Sequence, residues 1–151
     1  MAYAENTEIA VEKSMSEIVG MIRNAGAERI AQVEEPGTVA IQFFLRERML
    51  RFRVALPAWD TMPKWNGRRE LLTDDKRKQM AAQRAKQRAR ALMLVIKAKI
   101  ESVESGVETF DEAFMPNVVM PDGKTVAQHT LSRIAEGYAD GRMPALMLPS
   151  Y

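Results

Sequence analysis

The chain has 151 residues, 46% of them hydrophobic and 28% charged, with a formal net charge of +2 and no cysteine. That length and apolar content suit one domain able to bury its own core. The absence of cysteine excludes disulfide scaffolds, zinc fingers, iron–sulfur clusters and thiol nucleophiles together, and fits a reducing, cytoplasmic setting. No apolar run approaches the roughly 18 residues of a membrane span, and the N-terminus has neither the basic start nor the apolar stretch of a signal peptide, so no membrane partner is expected.

The charge is unevenly placed. Residues 1–35 hold three Lys/Arg against seven Asp/Glu, residues 36–100 hold sixteen against five, and residues 101–151 hold three against eight. The middle of the chain is therefore a basic block between two acidic ends. Clustered charge focuses a surface potential and attracts polyanions, unless folding lays the acidic ends over it.

In chain order, Ser14-Met15-Ser16-Glu17 reads as a capping box, followed at helical spacing by Ile18, Met21, Ile22 and Ala25 and stopped by Gly26. This predicts a helix over about 15–25, with residues 1–13 as a flexible arm. Three segments then alternate with period two: Arg29–Val33, Thr38–Arg46 with Val39, Ile41, Phe43 and Leu45 on one face, and Met49–Leu56 with Leu50, Phe52, Val54 and Leu56 on one face. Glu35-Pro36-Gly37 supplies the first turn and Glu47-Arg48 the second, giving a three-stranded antiparallel meander. Its solvent face then carries Gln42, Phe44, Arg46, Arg51 and Arg53.

Pro57–Arg69, with two prolines, both tryptophans and Asn66-Gly67, reads as a loop. From Thr73 no Gly or Pro interrupts the chain until Gly106, which predicts one helix of about 30 residues, or roughly 45 Å. Residues 76–90 spread basic side chains around it, whereas 91–105 place Leu92, Val95, Ile96, Ile100 and Val103 at core spacing. The second half is expected under the sheet, and the first is expected to project or to line a groove. Thr109-Phe110-Asp111-Glu112 and Thr125–Gln128 are two further capping boxes opening short helices, the second ended by Gly141, with Val118–Met120 as a short strand and Pro121-Asp122-Gly123 as a turn. Residues 143–151 form an apolar tail expected to lie across the core or a neighbouring subunit. The fold class is α+β in a single domain: an N-terminal helix, a β-meander, one long basic helix and short C-terminal helices.

No catalytic constellation emerges. The lone histidine, His129, reads as a surface or satisfied residue, and of Glu108, Asp111 and Glu112, which resemble a divalent-metal cluster, two occupy capping positions that account for them. No phosphate-binding, dinucleotide-binding, zincin or nucleophile-elbow motif is present. The expectation is a non-enzymatic protein without cofactor or metal. Binding residues are a different matter, because phosphate contacts come mostly from Lys and Arg. Arg46, Arg48, Arg51 and Arg53 of the hairpin and Arg77, Arg84 and Arg88 of the long helix are the candidates. Trp59 and Trp65, which flank Lys64 and precede Arg68 and Arg69, have the composition of a loop that stacks unpaired bases and holds their phosphates. The competing readings are a solvated helix face neutralised by the acidic termini, and tryptophans that anchor the loop to the core.

Tyr3-Ala4-Glu5-Asn6-Thr7 with Val11-Glu12-Lys13-Ser14, Gln87–Leu92 with Ile96–Gly106, and Pro121–Val126 with Met143-Pro144-Ala145-Leu146 resemble, from end to end, a family of phage and prophage proteins of undefined function. The resemblance implies a viral accessory gene acting in the host cytoplasm and supplies no site residues. A meander followed by one basic helix is also similar in architecture to phage single-strand annealing proteins, an analogy of shape alone. The resulting expectation is a DNA-binding accessory of phage replication or recombination that holds single-stranded or duplex DNA in one groove between sheet and helix, with oligomers assembled through the tail. The alternative is a module that inhibits or recruits a host or phage protein, using aromatic anchors and eleven methionines.

Overall fold

The computed structural model describes residues 2–147; the end of the apolar tail, residues 148–151, lies outside the described residues. The order is α1 (Ala2–Asn24), β1 (Glu28–Glu35), β2 (Thr38–Leu45), β3 (Arg48–Ala55), a 3-10 turn at Trp59–Thr61, α2 (Asp74–Glu104), α3 (Phe110–Phe114), a 3-10 turn at Met115–Asn117, and α4 (Val126–Asp140). The architecture is α+β. Among the described residues no helix is long and apolar enough to cross a membrane.

The strands form one antiparallel sheet in the order β1-β2-β3. Alternation sends Val39, Ile41, Phe43 and Leu45 of β2 and Leu50 and Phe52 of β3 into the core, with Ile41 opposite Phe52 and Phe43 opposite Leu50. The Phe43 and Phe52 rings stack at 6.0 Å, and Phe114 of α3 meets Phe52 edge-on at 6.2 Å. The first turn is the expected Pro36-Gly37, with Gly37 at φ 75°. The second is displaced by one residue from the sequence expectation. Leu45 pairs with Arg48, so the loop is Arg46-Glu47, and both residues take positive φ, 46° and 64°. The twist of a two-residue hairpin demands that geometry whatever the side chains are, and neither residue suits it.

Two parallel helices cover the inner face. Val11, Met15, Ile18 and Ile22 form the buried stripe of α1, and Ala89, Leu92, Met93 and Ile96 that of α2. Thr7, Glu8 and Val11 share a groove with Ala85, while Met21, Asn24 and Ala25 share one with Lys97, Ile100 and Glu101, which fixes the parallel sense. This arrangement corrects the reading of the N-terminus. Residues 2–13, expected as an arm, continue the helix, and Ser14 is buried mid-helix instead of capping it. Of the two expectations for the first half of α2, projecting is corrected, because Ala81 and Ala85 are buried, whereas lining a groove fits Ala85, which borders one shared with α1 and β2. Small side chains every four residues let a neighbouring backbone approach closely. Val95, expected in the core, is instead exposed, whereas Leu92 and Ile96 are buried as expected.

The local signals at the C-terminal end appear as expected. Thr109 and Glu112 form a reciprocal capping box, as do Thr125 and Gln128, and Gly141 closes α4 at φ 71°. Val118 bridges to Leu50 and Val119 to Thr125, so the expected strand at 118–120 amounts to isolated bridges that tie α4 to the β3 edge. Residues 143–147 of the tail do not lie across the core. They fold back on α4, where Pro144 packs so closely that a Cβ on Gly137 would lie 3.1 Å from its ring, and Met143 stays exposed.

Candidate nucleic-acid interface

The hairpin arginines are placed first by strand geometry. Arg46 and Arg48 sit at the β2–β3 turn and face α3: the Arg46 guanidinium lies 5.4 Å from the Phe110 ring centre, and Arg48 Nε is 3.6 Å from Asp111 Oδ1. Arg51 and Arg53 are on the opposite face of the sheet from the helices. Arg51 donates through Nε and Nη2 to Gln42 Oε1 at 3.1 and 3.0 Å, and through Nη1 to the Gly123 carbonyl at 2.8 Å. Arg53 pairs with Glu35 at 3.3 Å. The exposed sheet face is thus basic by composition but largely self-paired, and Phe44 on it is stacked by Arg29 at 5.2 Å.

Where a groove does open between the sheet and α2, at Thr38, Val39, Leu56 and Ala85, α1 forms part of its wall and the charged side chains that line it are Glu8, Glu12, Glu34 and Glu35, so it is acidic and holds none of the candidate arginines. β3 rises about 3.3 Å per residue, so Arg48 and Ala55 lie about 23 Å apart at opposite ends of the sheet. The single sheet/helix groove expected from the sequence is replaced by separate basic regions that face different directions.

The Trp59 segment and α2 are locked together. Arg77, only 8% exposed, donates through Nη2 to the Asp60 carbonyl at 2.8 Å and the Met62 carbonyl at 3.0 Å. Its guanidinium and the Lys78 ammonium lie 5.3 and 5.0 Å from the Trp59 ring centre. Arg77 and Trp59 are therefore fastenings for the loop, so the anchoring reading holds for Trp59. Arg88 donates to the Ala55 carbonyl at 2.6 Å and ties α2 to the end of β3, whereas Arg84 remains exposed on α2.

Trp65 behaves differently. Asn66 Oδ1 accepts from the Arg68 and Glu70 backbone N–H groups at 2.8 and 2.9 Å, Asn66 N–H donates to the Glu70 carbonyl, and Leu72 N–H donates to the Lys64 carbonyl at 2.8 Å. These bonds build a small hairpin over residues 64–72, with Arg69 at φ 60° in its turn. Trp65 and Leu71 face each other across it and are 58% and 68% exposed. Among the described residues the side chains of Lys64, Arg68 and Arg69 make no ion pair or hydrogen bond, so three unpaired cations share this small hairpin with an exposed indole. Leu71 was not among the sequence candidates. Its placement follows from the cross-strand register, for which Asn66-Gly67 was the only local signal.

Other candidates are absorbed by structure. His129 Nε2 lies 2.8 Å from Asp122 Oδ2, joining α4 to the 121–124 turn. Glu108 accepts from Ser102 Oγ at 2.8 Å, Asp111 pairs with Arg48, and Glu112 caps α3. The Thr109 side chain first, and its backbone N–H second, hold the Glu112 carboxyl below its ordinary value. No protein-family model matches the chain, and no significant similarity to a curated protein or a solved structure is found.

Proposed function

We propose that this protein binds single-stranded nucleic acid, DNA in the phage setting that its sequence resemblance implies, through the hairpin loop of residues 64–72. One observation carries the reading: an indole left mostly in solvent on a hydrogen-bonded hairpin whose Lys64, Arg68 and Arg69 side chains have no partner among the described residues. Trp59, 37% exposed, is held against the Arg77 and Lys78 side chains and so fastens this segment, whereas Trp65 is the more exposed of the two indoles and is available for a base. Base–aromatic stacking is sequence-tolerant and worth about 1–3 kcal/mol. Three phosphate contacts predict a log–log salt slope of about −2 on single strands.

Fluorescence anisotropy with labelled single-stranded and duplex oligonucleotides across a salt series tests this reading. The expected result is preference for the single strand, steep salt weakening, and loss of binding in Lys64→Glu/Arg69→Glu without loss of fold. Absence of signal from micromolar protein at low salt contradicts it.

A second reading is supported by a separate observation. Ile134, Tyr138 and Met143 are exposed around an apolar groove of about 400 Å³ between α4 and the tail, and Leu131 is exposed on the same helix, a surface suited to a host or phage protein. A protein partner retained in pull-downs from infected cells after nuclease treatment favours that reading.

A further inference from the structure

The outer face of α2 carries an apolar stripe that nothing in the fold covers. Ala91, Leu94, Val95 and Ala98 follow the i, i+3, i+4, i+7 spacing of one helix face, and all four are exposed, Leu94 and Val95 by 48% and 47%. These residues do not belong to the core stripe of the same helix, which runs through Ala89, Leu92, Met93 and Ile96. The charges bordering the stripe change sign along the helix. Lys86, Arg90 and Lys97 lie along one flank through the middle of the stripe, and Glu101 and Glu104 continue that flank at its C-terminal end, so the sign changes beyond Lys97.

We propose that two copies of this chain associate through this face, their α2 helices antiparallel about a two-fold axis at Leu94 and Val95. A two-fold axis there brings Ala91 onto the second copy's Ala98 and Leu94 onto its Val95. It also sets Arg90 near the second copy's Glu101 and Lys86 near its Glu104, and each pair occurs twice by symmetry. The occupant is therefore specified by charge as well as by shape: the face is complementary to itself read backwards. Small alanines on either side of the centre allow close approach, whereas the short stripe limits the area. Stable dimers bury about 1,600 Å² in total, so a contact of this length gives a dimer whose population rises with concentration in the micromolar range. In such a dimer the two 64–72 loops sit at opposite ends, about 65 Å apart, from 1.5 Å per residue between Thr73 and the axis. The inference does not rest on the nucleic-acid reading.

Sedimentation velocity of the full chain over a micromolar concentration series, without nucleic acid, decides the matter. The expected result is a concentration-dependent dimer, a monomer for Val95→Glu, at least tenfold weaker association for Arg90→Glu, and recovery in Arg90→Glu/Glu101→Arg. Because these positions are exposed, unchanged far-ultraviolet circular dichroism confirms that the variants fold. A wild-type monomer at every concentration overturns the proposal. So does a dimer that survives Val95→Glu but is lost in Tyr138→Glu, because that result places the contact on α4.

Discussion

Replacing Arg77 by alanine removes the fastening between α2 and the loop that precedes the proposed binding hairpin. The two carbonyls it serves, those of Asp60 and Met62, lie 2.8 and 3.0 Å from Nη2. Hydrogen bonds to a charged donor contribute about 1.5–3 kcal/mol each, and stacking on Trp59 adds about 0.5–1 kcal/mol. Against this stands the cost of keeping a guanidinium buried, visible in Nε, which has no partner among the described residues. The net loss is expected at about 2–3 kcal/mol, enough to remove a large share of a typical domain's stability. Urea unfolding followed by circular dichroism measures it, and a red shift of tryptophan emission reports release of Trp59. Arg77→Met, which keeps the packed stem but not the donors, should lose less. A change below about 0.5 kcal/mol in Arg77→Ala, with emission unmoved, refutes the view that this arginine works inside the fold instead of on a phosphate.

Other substitutions test separate parts of the fold. Glu47→Gly relieves a positive φ at a position where a non-glycine residue is strained and should stabilise the hairpin by about 0.5–1 kcal/mol in the same urea assay. Destabilisation would indicate that the turn is not of the type described. Because the folded Glu112 carboxyl is held below its ordinary value, its contribution is present above the unfolded pKa and lost as pH falls through the folded pKa. Glu112→Gln should therefore flatten the acid limb of a stability–pH profile, and an unchanged limb contradicts the capping role.

Much of the fold was legible because its signals are local. Thr109, Thr125 and Gly141 act through neighbours within four residues, and the alternation of Val39–Leu45 and Leu50–Phe52 assigns the core side without knowledge of what covers it. The failures have a common physical origin. Helix formation over residues 2–13 depends on α2 lying alongside, and Val95 fits a core pattern that a one-sided burial leaves unused. Arg77 resembles its basic neighbours until the Asp60 and Met62 carbonyls are brought to it. Likewise, the pairing of Arg53 with Glu35, and of Arg51 with Gln42 and Gly123, depends on sheet register and on a turn 72 residues away. Summed charge therefore raised the expectation of a polyanion partner without showing which arginines remain free, and the proposed site contracts from a groove to Lys64, Trp65, Arg68 and Arg69.

The most direct test of that site uses Trp59→Phe, which leaves Trp65 as the sole indole of the chain. Titration with a single-stranded oligonucleotide at low salt should quench its emission along the same curve as the anisotropy of a labelled strand, because the base stacks on the reporter itself. Saturating anisotropy with Trp65 emission unchanged, or no binding at all, would contradict the account.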